Sequence, residues 1–282
     1  MWGAFVFTLA VLGARGYPQT PGGLVEERQF GAHEVVLHGA EGPLLALVSG
    51  PPFGAALFRE VQRRLAPRRT AAITLRAPEA EGLSALSDAL AALLTELGAR
   101  QLVAHGLAVP VALGLPDDSL DALILTNGPI TRVDPVARAL GALGGAGATR
   151  AALTTLLRPR PLNAWLASSL GLRRAVVNPY TMERDIVALV TAAWTGDASA
   201  RLAAARWFAA LAGPLPTRAP RTSSLTLIWG DHDPLYPYAQ AEAVQGFAPH
   251  AQLHRIPGGQ HLHPEERPWA LADLLTATAL RT

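Results

Sequence analysis

At 282 residues, half of them hydrophobic and 16% charged, the chain is far from the sparse, highly charged composition of disordered proteins and can hold one large α/β domain or two small ones. Its 24 basic residues are all arginine and face 22 acidic ones, for a net charge of +2; they are dispersed rather than gathered into a stripe with aromatics, which argues against a nucleic-acid partner. The lack of cysteine removes disulfides, thiolate nucleophiles and thiolate metal sites from consideration.

In chain order, the first feature is an apolar segment over 1–24, with Trp2, Phe5, Val6, Phe7, Leu9, Val11 and Leu12 at its head. That run is shorter than the roughly 20 residues a bilayer span needs. The first basic residue, Arg15, follows the apolar run instead of preceding it, unlike a secretory signal. The segment is read as a packed or interfacial helix of a cytoplasmic protein, with N-terminal membrane association as the alternative. Short β-rich runs then alternate with helical ones. Strands are expected at 35–37, within an antiparallel hairpin, and at 44–48, 70–75, 101–104 and 120–126, with helices over 55–65, 84–97 and 109–113. Such alternation builds a mostly parallel sheet covered on both faces. From about 132 to 218 there is no strand signal. The segment is rich in Ala, Leu and Arg, with helical windows at 135–143, 162–170, 181–194 and 198–211, punctuated by Gly144, Gly145, Gly147, Pro159, Pro161, Pro179, Pro214 and Pro216. It reads as an all-helical insertion. Two further strands follow at 224–229 and 252–256.

Three loops carry the chemistry. After the strand ending at Ala104 come His105, Gly106, Leu107 and Ala108; after the strand ending at Trp229 come Gly230, Asp231, His232, Asp233 and Pro234; after Ile256 come Pro257, Gly258, Gly259, Gln260 and His261, followed by Glu265, Glu266 and Pro268. This arrangement resembles the α/β-hydrolase superfamily, in which a Gly-x-Ser-x-Gly elbow joins strand to helix and the order is nucleophile, acid, histidine. The resemblance covers nearly the whole chain. It implies a mostly parallel central sheet flanked by helices, divided into an N-terminal segment 1–24, a core of 25–131 and 219–282, and a helical cap over 132–218. It places the acid at Asp233, the histidine at His261 and the nucleophile position at Gly106, which has no side chain to attack with.

Two more positions depart from the pattern. Ser49, Gly50, Pro51, Pro52, Phe53 and Gly54 align with the family's His-Gly loop, with Ser49 in place of the histidine. Pro51 falls where relatives offer a backbone N–H to the oxyanion hole, and proline has none. Leu107, just past the elbow, is the remaining donor. The family's acidic, Gly-rich loop survives only as Arg76, Ala77, Pro78 and Glu79.

Each residue also has a plainer reading. Asp233 is in turn-forming company, where an Asp commonly bonds local backbone. Ser49 is either a relocated nucleophile or a small residue ending a strand. His105 is expected to point away from the site, and His232 and His263 are expected at the surface. A site from His232, Asp233, His261 and His263 matches no metal signature, so no metal or cofactor is expected. Trp165, Tyr180, Trp194, Trp207 and Phe208 either line a pocket or pack the core. The functional expectation is a binder of a small apolar molecule or protein partner, without serine-type turnover. The alternatives are general-base chemistry by Asp233 and His261, or hydrolysis with Ser49 as nucleophile.

Overall fold

The computed structural model describes residues 25–145, 147–169 and 171–279; the apolar segment 1–24 lies outside them. β1 (Val25–Phe30) and β2 (His33–His38) form an antiparallel hairpin, turned at Gly31 with φ +58°, an angle glycine adopts without steric cost. Then come β3 (Glu41–Ser49), α1 (Arg59–Leu65), β4 (Arg68–Thr74), α2 (Leu83–Leu97), β5 (Gln101–His105), α3 (Val109–Leu113) and β6 (Ala122–Thr126). Five helices follow without a strand: α4 (Pro135–Leu143), α5 (Ala148–Leu156), α6 (Pro159–Leu166), α7 (Arg184–Thr195) and α8 (Ala198–Ala210). The chain returns to the sheet through β7 (Ser224–Gly230), α9 (Ala239–Val244), β8 (Gln252–Ile256), α10 (His263–Glu266) and α11 (Pro268–Ala279).

The eight strands lie in the order β1-β2-β4-β3-β5-β6-β7-β8. Pairing is antiparallel from β1 to β4 and parallel from there to β8. β5 is buried along its whole length, and β3 from Leu44 onward. Such continuous burial, rather than alternation, marks strands covered on both faces. The strand order reverses between β3 and β5, and ligands of open α/β sheets bind beyond the carboxyl ends of the strands at such a point. The loops after β3 and β5 meet there.

The five inserted helices form their own cluster, α8 packing on α4, α5 and α7, and α6 on α7. Buried bonds tie them to the loops that follow β3 and β4. The Trp194 indole donates to the Phe53 carbonyl (2.8 Å), the Trp207 indole to the Leu75 carbonyl (2.7 Å), and Gly54 N–H to the Val190 carbonyl (2.9 Å). Some helix bounds differ from the sequence reading. α6 begins at Pro159 and ends at Leu166, because prolines that punctuate a helix interior are tolerated in its first turn, where the N–H has no partner to lose. The window at 181–194 divides into a 3-10 turn at Pro179–Met182 and α7. α5, α9, α10 and α11 were not expected. Among the described residues no helix is long and apolar enough to cross a membrane.

Candidate functional site

The site is assembled from four loop ends. β5 delivers the chain to Gly106, whose φ of +58° makes a tight turn into α3. The turn is pinned by Gly106 N–H donating to the Asn127 carbonyl (3.1 Å) at the end of β6. The loop after β3 presses against the turn so closely that a Cβ on Gly50 would come within 2.6 Å of Leu107 Cβ. Gly128 likewise has room for no side chain, since its Cβ would meet the Gly106 carbonyl at 2.3 Å.

From the other side, β7 and β8 carry the acid and the histidine. Asp233 Oδ1 accepts from the backbone N–H groups of Leu235 (2.7 Å) and Tyr236 (3.2 Å), as an Asp in a turn does. Its second oxygen is turned to the site, accepting from His261 Nδ1 at 3.0 Å and from Asn127 Nδ2 at 2.7 Å. The turn bonds and the bond to His261 are thus made at once, one set on each oxygen. Burial pushes the Asp233 carboxyl up, but His261 and the donors from Asn127 and Leu235 more than offset it, and the group lies below its ordinary value. A carboxylate there accepts from Nδ1–H, so that in the neutral ring Nε2 is left as the acceptor. That nitrogen points at the turn: an ideal Cβ built on Gly106 would be 3.7 Å from it.

A model of the alpha/beta hydrolase family matches residues 35–274. The chain belongs to that family. No curated protein matches the chain, but solved structures do. An alpha/beta hydrolase fold protein from Burkholderia ambifaria is 24% identical, with 89% of this chain and 96% of that chain covered at a TM-score of 0.66. The epoxide hydrolase CorEH is 16% identical (91% and 98% covered, TM-score 0.70). An esterase from Thermogutta terrifontis is 19% identical (92% and 98%, TM-score 0.67). At these identities the likeness is one of fold.

Between the sheet of this family member and its inserted helices lies a cavity of about 320 Å³, reached by Gly106, Leu107, Ser49, Pro51 and His261 at its floor. Its walls include Leu140, Leu153, Leu157 and Trp165. The charged lining residues are Asp134 and Arg174, 3.9 Å apart. Of the aromatics singled out from sequence, Trp165 and Phe208 line this cavity, Trp194 and Trp207 are core, and Tyr180 is exposed. The buried Ser49 hydroxyl donates to the Phe53 carbonyl at 3.1 Å, which commits its proton to the loop rather than to His261. Among the described residues no three His, Cys, Asp or Glu side chains are arranged to hold a metal ion.

Two histidines are not where the sequence reading put them. His263 is fully buried: its Nδ1 faces the Gln260 carbonyl (3.2 Å), leaving Nε2 to accept from the Thr126 hydroxyl (2.8 Å). Burial holds its pKa down at about 4. His105 does not point away; its ring lies 5.0 Å from that of His261 and 5.4 Å from that of His263. Neither of its nitrogens makes a hydrogen bond of ordinary geometry. Burial first, then the neighbouring imidazoles, depress its pKa well below the usual value, outweighing the Thr126 backbone. His232 is exposed, as expected. The residue that sequence reasoning missed is Asn127. Besides Asp233, its amide bonds Gly230 in both directions, Oδ1 accepting from Gly230 N–H at 2.8 Å and Nδ2 donating to the Gly230 carbonyl at 3.4 Å. Its φ of +33° is one that Asn tolerates better than most residues, and the Asn-Gly pair after β6 was the available signal.

Proposed function

We propose that in this family member Gly106 stands where relatives carry the nucleophile, and that the protein binds a small apolar ligand in the cavity beneath a helical cap, 132–218, instead of turning over esters through a serine. The observation that carries the reading is the Cβ position of residue 106, directed at His261 Nε2 from 3.7 Å and occupied by no nucleophile. Loss of the nucleophile costs a serine hydrolase about a millionfold in turnover, and loss of one oxyanion donor, here at Pro51, a further ~10² to 10³. Glycine at φ +58° in turn avoids strain of about 1–3 kcal/mol that other residues bear there.

A second reading, a general-base enzyme, is favoured by the paired Asp233 and His261, whose geometry is that of a working dyad at 3.0 Å. One experiment separates the two. Wild type, Gly106→Ser and His261→Ala are screened against short-chain activated esters and thioesters. Binding without turnover predicts a silent wild type, while Gly106→Ser acquires an acyl group on residue 106, detected by mass spectrometry, because its hydroxyl reaches His261. An active wild type that His261→Ala silences replaces the binder with the enzyme.

A further inference from the structure

We propose that the cavity takes a neutral apolar alcohol, seated with its hydroxyl beside Gly106 and donating to His261 Nε2. This rests on the binding reading above and adds the ligand's chemistry to it. His261 Nδ1 is committed to Asp233 (3.0 Å), so in the neutral ring Nε2 is the acceptor. The complementary ligand must therefore bring an O–H or N–H, which an ester, ether or ketone lacks. Glycine at position 106 provides the space for it. Apart from its own chain neighbours, the described atoms within 4 Å of its missing Cβ are the Nε2 (3.7 Å) and Cε1 (3.8 Å) of His261, so a ligand hydroxyl is free to occupy the place where a serine would set its own.

The loop opposite points the same way. Pro51 lines the cavity and has no N–H to offer a carbonyl oxygen, so an acyl compound finds a donor missing, whereas an alcohol requires none. Charge is disfavoured: the walls are leucines and aromatics, and Asp134 and Arg174 lie close enough to compensate each other. An ammonium or carboxylate would have to shed its water with no uncompensated opposite charge in the lining to replace it. The cavity's size, about 320 Å³, is at the small end of ligand pockets.

The test is titration calorimetry on the full chain with 1-octanol, its isomer 1-methoxyheptane, and octanoate. The two isomers have the same atoms and differ in the donor alone. Wild type is expected to bind the alcohol about tenfold or more tightly than the ether, the equivalent of one buried hydrogen bond. Gly106→Ser, whose own hydroxyl takes Nε2, is expected to bring the two within about twofold. Equal affinities in wild type overturn the donor rule while leaving the cavity a binding site. Octanoate binding tighter than octanol overturns it in favour of an acid held by a charged imidazole. Binding of none of the three removes the binding reading and this inference together. The wild-type comparison decides even if Gly106→Ser does not fold.

Discussion

Asn127 joins three strand ends, those of β5, β6 and β7, through its backbone and its side chain. Its backbone carbonyl holds the Gly106 turn, its side-chain oxygen holds Gly230, and its side-chain nitrogen holds the carboxylate that orients His261. Asn127→Ala strands the buried Gly230 N–H and removes one donor from Asp233. A loss of about 2–3 kcal/mol is expected, read as a lowered urea midpoint at unchanged m-value. An unchanged midpoint would mean that the backbone alone holds the loops. His105 is the opposite case: its buried imidazole makes no hydrogen bond of ordinary geometry, so its replacement by leucine is expected to leave the urea midpoint unchanged or raise it.

At the scale of elements, the inserted helices are fastened to the core chiefly through α7 and α8. The Phe53 carbonyl receives both the Trp194 indole and the Ser49 hydroxyl, so the loop that floors the cavity and the helix above it share one acceptor. Trp194→Phe keeps most of the ring packing against Trp207 (6.4 Å between ring centroids) but drops the bond. Because Ser49 still satisfies Phe53, the expected cost is only about 1 kcal/mol, with hydrogen exchange rising at Gly54 and along α7 before any global change. Trp194→Ala, which empties a buried site, is expected to cost about 3–5 kcal/mol.

The molecule as a whole should be acid-sensitive well above the range where carboxylates titrate. His263, held at about 4 against an ordinary 6.5, and His105, depressed well below 6.5, resist protonation when folded. Below pH 6.5 the unfolded chain takes up protons that the folded chain refuses. Stability is therefore complete above about pH 6.5 and declines as pH falls toward 4, by up to about 1.4 kcal/mol per pH unit for each histidine. Asp233, lowered in the fold, has a separate window: its contribution is present above its ordinary value of 3.8 and is lost as pH falls below that. Denaturant midpoints taken from pH 7.5 to 4.5 should fall for wild type and fall less steeply for His263→Gln; parallel slopes would remove His263 from the account.

The sequence alone determined the layered α/β fold and the order of the three loops, because each rests on local signals: apolar runs bounded by turns, helical spacing, and glycines where the chain bends. The strands at 101–104 and 224–229 and the loops bearing Gly106, Asp233 and His261 were legible for that reason. Only the tertiary structure decided what lies against what. His105 and His263 give no sign in a linear chain that β5 and α10 will bring their rings together. Asn127 is silent until β6 and β7 pair, because its partners, Gly230 and Asp233, lie more than a hundred residues away. The helices α5 and α11 were missed because glycine and proline mark boundaries without saying on which side the helix lies; packing on α8 and α1 settles that. The direction of His261 Nε2 toward Gly106, on which the ligand chemistry rests, is likewise a property of the folded loops, fixed by a carboxylate that reaches Nδ1 from the far side of the ring.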